Sequence, residues 1–302
     1  MSKRPQRRLV SFIGIGSASA APLLYSYIKS HPGVCTTAID TQFFLNTEAY
    51  QKGIDWYESF FAKRSPNMVC GELASNYIQS AQAAALIVRT YPNAHLVAVI
   101  ENPLVSVRVA YVEARRARTI TPETSLALFL KQNPEVLMSA RYGRQLAQYF
   151  SYYAPIDLLV VTAGDVRDDA LRVVKETYKH IGVDDKFVPL PLVHLVPVEE
   201  DPKKKPGIIK KTYRFLKKHI KDFFSNLANR LYPAEIPLET ASIVARKIPL
   251  SPELKDFLKD YYRQDVAMLS RLLHRSLTSE WGFDEEEEIT PPKTKKKAPK
   301  PL

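Results

Sequence analysis

The stretch Arg7–Val34, RRLVSFIGIGSASAAPLLYSYIKSHPGV, decides the fold. Apolar residues run from Leu9 to Ile15, small residues fill the segment from Gly14 to Ala21, and apolar periodicity resumes toward His31 and Pro32. That order predicts a strand, a tight turn and a helix. Such a turn aims free backbone N–H groups and the positive end of the helix dipole at one point, which suits an anion. No lysine follows the turn; the chain reads Ser17-Ala18-Ser19-Ala20-Ala21 there. The loop from Gly14 to Pro22 therefore has two readings: an anion cradle built from backbone alone, or tight strand-to-helix packing through small residues.

Working outward, the segments LVSFIGI, TTAIDTQFF, MVCGELA, HLVAVIENP and DLLVVTAGD read as strands, each followed by helical periodicity. The alternation predicts an α/β fold, a parallel sheet covered by helices. Ligands of such sheets bind beyond the carboxyl ends of the strands. Gly14, Asp40, Glu72, Glu101 and Gly164 all fall near those ends and are candidates for one cleft. Ser251-Pro252-Glu253 reads as the cap and first turn of an amphipathic helix reaching Leu273.

With 302 residues, 45% of them hydrophobic, the chain can bury a full core. Its formal charge of +11 calls for an anionic partner, which the sign alone does not name. Cys35 and Cys70 are the only cysteines, too few for a disulfide framework, and the six histidines are scattered. Neither a metal centre nor a catalytic triad is supported, and a reducing, cytoplasmic compartment is the simpler expectation. No run of about 18 apolar residues offers a membrane span, so the reading is a soluble or membrane-peripheral protein.

Several segments resemble carbohydrate sulfotransferases, above all the sulfotransferase domain of heparan sulfate N-deacetylase/N-sulfotransferases. TQFFLNTEAYQKGIDWYESFF (Thr41 to Phe61) is similar to the family's segment after the second strand, with Lys52-Gly53-Ile54-Asp55-Trp56-Tyr57 as a specific match. GELASNYIQS resembles the family's EKSANYF stretch, and YPNAHLVAVIENPLVSVRVAYVEARR its strand, Asn-Pro turn and helix. RYGRQLAQYFSYY and RKIPLSPELKDFLKDYYRQDVAMLSRLL follow in family order. The resemblance covers most of residues 8 to 281. It implies the sulfotransferase fold, a P-loop-like parallel sheet flanked by helices. The implied donor is phosphoadenosine phosphosulfate (PAPS), and the implied acceptor a glycan-type hydroxyl or amine.

Carried over residue by residue, the resemblance makes Asp40 the acceptor-activating carboxylate, in place of a glutamate. The bottom-up alternative is that Asp40 caps a neighbouring turn. Gly14, Gly16, Ser17, Ala18, Ser19 and Ala20 fall on the cofactor loop, but the family lysine position holds Ser17. The second family lysine falls at Leu73, a phosphate-holding serine at Val109, and an arginine before the Asn-Pro turn at Glu101. Tyr142, Arg246 and Lys247 fall beside the cofactor, the last two within an RKYP-like element, and Arg108, Arg115, Arg116, Arg246 or Lys247 could lend a replacement charge to a phosphate. Arg108, Arg115 and Arg116 could equally be solvated or paired, Tyr142 could be core, and Glu72 and Glu101 could form strand-end salt bridges.

Residues 199 to 235 break the strand-helix rhythm and read as a basic helical insert. Within residues 208–231, Ile209, Tyr213, Leu216, Ile220, Phe223, Phe224, Leu227 and Leu231 recur at three- and four-residue spacing, opposed by six cations from Lys210 to Lys221. Such a helix can lie on an anionic membrane surface or pack on its own domain. No nucleic-acid module is visible. Residues 282 to 302, rich in charge blocks and proline, read as a disordered tail.

Overall fold

The computed structural model describes residues 9–17, 20–195 and 238–284. In chain order these form β1 (Val10–Gly14), α1 (Ala21–Ser30), β2 (Val34–Thr36), α2 (Thr47–Gln51), α3 (Ile54–Ser59), β3 (Val69–Leu73) and α4 (Ala81–Thr90). There follow β4 (His95–Ile100), α5 (Pro103–Arg116), α6 (Leu126–Gln132), α7 (Pro134–Ser139), α8 (Tyr142–Phe150) and β5 (Leu158–Thr162). Then come α9 (Ala163–Asp168), α10 (Ala170–Ile181), α11 (Leu238–Lys247), α12 (Pro252–Leu273) and α13 (Leu277–Glu280).

The five strands are all parallel, in the order β2-β3-β1-β4-β5. Alternation across the pleat sends side chains to two cores. Phe12, Val97, Val99 and Val161 face Leu24, Ile28, Val173 and Tyr178 of α1 and α10. Ile13, Leu96, Ala98 and Ile100 face Ile87, Leu146, Tyr149 and Tyr262 of α4, α8 and α12. The chain leaves β1 toward one edge and β4 toward the other. Their carboxyl ends therefore flank a switch point, where open α/β sheets bind ligands.

Local chemistry explains the boundaries. Ser251 accepts from the Leu254 amide at 3.3 Å and opens α12, as its sequence predicts. Gly143 lies in the first turn of α8, which Asp265 caps: the carboxylate accepts from the Gly143 and Arg144 amides at 2.8 and 3.0 Å. A Cβ at Gly143 would collide with the Asp265 carbonyl, so only glycine fits there.

One expectation is corrected. TTAIDTQFF is not a strand: β2 stops at Thr36, and Asp40 to Phe44 form a bent, turn-rich segment. Thr41, Phe43 and Phe44 are buried there without ladder partners, which periodicity alone does not distinguish from a strand. At the end of the described chain, Phe283 is 2% exposed and its carbonyl accepts from Arg263 at 3.1 Å. The basic segment 208–231 and the tail beyond Asp284 lie outside the described residues.

Candidate active site

On the β3 side, the cleft is organised by Glu72, which is fully buried. Its carboxylate accepts from the Thr41 amide at 2.9 Å, the Thr41 hydroxyl, the Tyr77 hydroxyl at 2.8 Å and the Tyr57 hydroxyl at 3.0 Å. Burial pushes its carboxyl above the ordinary range, and these hydrogen bonds oppose that shift. Glu72 is thus held by hydroxyls and an amide, not by the arginine considered from sequence. The specific match at residues 52–57 explains part of this: Gly53, at φ +84°, turns the chain into α3, and α3 delivers Tyr57 to Glu72.

Anchoring Thr41 positions its neighbours. Asp40 is exposed and its Oδ1 accepts from the Gln42 amide at 3.1 Å, with Gln42 at φ +49°. The turn-capping role is therefore present. The same carboxylate lies close enough to the Tyr25 hydroxyl for its charge to act on that phenol. Its neighbour Thr41 is bonded to Glu72, the register partner of Ile13, so Asp40 lies near the carboxyl end of β3, next to β1.

That loop is closed by its own chain. The Gly16 amide donates to the Tyr25 hydroxyl at 2.7 Å, and this hydroxyl donates to the Ala74 carbonyl at 3.2 Å. The Ile15 and Ser17 amides continue the ladder to Val97 and Val99 at 2.9 and 2.8 Å. The Ala20 and Ala21 amides donate to the Ser17 carbonyl at 3.1 and 2.9 Å. Ser17 itself is 3% exposed. A Cβ at Gly14 would come within 2.6 Å of the Tyr25 hydroxyl, and one at Gly16 within 3.0 Å, so both glycines make room for this ring. Burial raises the phenol above its usual range, so it stays protonated. Ala18 and Ser19 lie outside the described residues.

At the carboxyl end of β4, Glu101 is 2% exposed. It accepts from the Asn102 amide at 2.9 Å and binds Arg246 Nη2 through both oxygens, at 3.0 and 2.9 Å. Helix α11 reaches this position because Ala241 and Ala245 pack on Val105, Val109 and Val112 of α5. Arg108 donates to the carbonyls of Leu104 and Ile248 at 2.8 and 3.1 Å. Burial and the neighbouring Arg246 charge lower its pKa. Lys247 is exposed, and the Tyr142 hydroxyl shares a 2.8 Å hydrogen bond with Ser106 inside the core. Arg115 and Arg116 sit at the far end of α5, on the Pro122 carbonyl at 2.9 Å and on Glu113 at 2.8 Å. They are removed from the group, since α5 opens at the cleft and runs away from it.

The structure thus gathers Gly14, Gly16, Ser17, Asp40, Glu72, Glu101 and Arg246 around the carboxyl ends of β1, β3 and β4. Sequence reasoning missed Tyr25, Thr41 and Tyr57. Tyr57 sat within a matched motif and was findable. Tyr25 looked like one more apolar helix position. Among the described residues, no helix is long and apolar enough to cross a membrane, and no group of His, Cys, Asp or Glu could hold a metal.

No family model matches the chain. It is 25% identical to human bifunctional heparan sulfate N-deacetylase/N-sulfotransferase 3, over 58% of this chain and 22% of that protein. It is 24% identical to mouse bifunctional heparan sulfate N-deacetylase/N-sulfotransferase 4, over 88% of this chain and 30% of that protein. It is 22% identical to mouse heparan sulfate glucosamine 3-O-sulfotransferase 5, over 59% of this chain and 52% of that protein. The chain therefore spans between about a fifth and a half of the length of these curated relatives. Among solved structures, a sulfotransferase from Alicyclobacillus acidocaldarius superposes with a TM-score of 0.64 at 18% identity, over 90% of this chain and 98% of that one. The chain has the sulfotransferase fold and is a remote homologue of the sulfotransferase domains of heparan sulfate-modifying enzymes.

Proposed function

We propose that this protein works through the cleft at the carboxyl ends of β1, β3 and β4, on a glycan-type acceptor presenting a hydroxyl or an amine, with sulfuryl transfer as its chemistry. The names of its relatives support the glycan acceptor. One observation carries the reading: Asp40, an exposed carboxylate fixed by the Gln42 amide, adjoins Thr41, which is bonded to Glu72 at the carboxyl end of β3, next to β1. In this role Asp40 takes the proton that the acceptor loses as it bonds to sulfur. Glu72, through Thr41, is the positioning residue that holds Asp40 in place.

PAPS, the donor implied by homology, would supply the sulfuryl group when bound. The described residues of the β1–α1 loop bring no cation to its phosphates. The described loop amides have partners within the chain, and residues 14–17 and 20 carry no cation. The buried Glu101 presents negative charge at the Asn-Pro turn and neutralises Arg246. Losing a charge-stabilising contact typically costs about 100-fold or more in rate.

The Glu101–Arg246 pair favours a second reading: a protein that keeps the cleft to bind a glycan, an anionic membrane surface through residues 208–231, or a protein partner, without transfer. Titration calorimetry of the full chain with adenosine 3′,5′-bisphosphate separates the two. Micromolar binding, together with sulfate transfer from PAPS to a desulfated heparan-type polysaccharide that Asp40→Asn abolishes, supports the enzyme. Absence of both in the wild type, with binding gained in Glu101→Gln, identifies the non-catalytic protein.

A further inference from the structure

The chain's two cysteines lie together, outside the cleft. Cys35 of β2 and Cys70 of β3 are register partners in parallel strands. Residues so paired present their side chains to the same face, and their backbones stand about 4.8 Å apart. That spacing lies within the about 4.4–6.8 Å between Cα atoms that a disulfide spans. Both cysteines are free thiols. Their exposure differs: Cys70 is buried in the core cluster that also holds Tyr57, Phe61 and Tyr91, while Cys35 is half-buried on the edge strand of the sheet.

We propose that Cys35 and Cys70 form a reversible disulfide site, closed by thiol–disulfide exchange with a small-molecule disulfide. The Cys35 thiolate, on the accessible edge, attacks one sulfur of the small disulfide and expels a small thiolate, leaving a mixed disulfide on Cys35. Cys70 then gives up its proton and attacks the Cys35 sulfur, and the second small thiolate leaves. Two protein thiols are oxidised to one disulfide and one small disulfide is reduced to two thiols, whose protons come from Cys35 and Cys70. The order follows from exposure, because burial raises the Cys70 thiol to about 12 and leaves it a poor first nucleophile. The nearby Arg64 charge opposes this shift, and that of Glu58 adds to it. Closure ties the edge strand that leads to Asp40 onto the strand that carries Glu72. The proposal stands apart from the sulfuryl-transfer reading.

The test uses the full chain with excess oxidised glutathione. The wild type should lose both maleimide-reactive thiols, drop in intact mass by two hydrogen atoms, remain a monomer on a non-reducing gel, and recover with dithiothreitol. Cys70→Ser, or Cys70→Ala should the serine variant fail to fold, should stop at a stable glutathione adduct on Cys35. Cys35→Ser should react at least about tenfold more slowly than the wild type. A wild type that keeps both thiols, stops at the adduct or forms covalent dimers would overturn the proposal.

Discussion

Two buried carboxylates flank β1, and the cleft treats them in opposite ways. Glu72 on β3 is satisfied by hydroxyls and an amide from three segments close in sequence, all of them part of the core. Glu101 beyond β4 is satisfied by a cation from α11, far along the chain, whose side chain is 36% exposed. A network of neutral donors around one carboxylate fixes geometry, since every member is buried and every lost bond leaves another unsatisfied. An ion pair with one exposed partner can separate, because water and salt compete for the exposed side. The Asp40 side of the cleft is therefore built as scaffold, and the Arg246 side as a removable contact.

The most damaging test of this contrast is Glu72→Leu. It strands the Tyr57 and Tyr77 hydroxyls and the Thr41 amide, and should lower the unfolding free energy by about 3 kcal/mol or more in urea titrations. A loss below about 1 kcal/mol would break the comparison. Tyr25→Phe should cost about 1–2 kcal/mol, because the Gly16 amide and Ala74 carbonyl lose their shared partner while the ring still packs. Glu101→Gln should cost only about 1 kcal/mol, less at high salt, since the exposed Arg246 can turn to water. A salt-independent loss as large as that of Glu72→Leu would show both carboxylates to be scaffold.

The smallest effect is a pH dependence. Burial lifts Glu72 above its ordinary value of 4.5, so the folded chain holds this proton more tightly than the unfolded chain. Between that value and the raised one, the unfolded state binds fewer protons, and stability falls as pH rises. The stability advantage of the wild type over Glu72→Gln should therefore shrink as pH climbs from about 4.5, read by urea unfolding at a series of pH values. A widening gap would mean that the hydrogen bonds outweigh burial.

The sheet was legible because parallel strands buried on both faces leave short β-branched runs, and four of five strands lie where those runs are. The exception, TTAIDTQFF, has strand-like composition but uses its phenylalanines in the core without pairing. In the site, the missing lysine at Ser17 and the carboxylates at Asp40, Glu72 and Glu101 could be read directly. Their partners could not: Arg246 reaches Glu101 across 145 positions of chain, and no local pattern encodes such a contact.

The sequence by itself determined the layering, the loop with no cation, and the remote kinship with sulfotransferases, because periodicity, composition and motif spacing are local properties of the chain. Only the tertiary structure decided that Tyr25 fills the loop, that Glu101 binds Arg246, and that Cys35 meets Cys70. Each depends on which strands and helices become neighbours, and that is set by burial of the whole core rather than by any one segment.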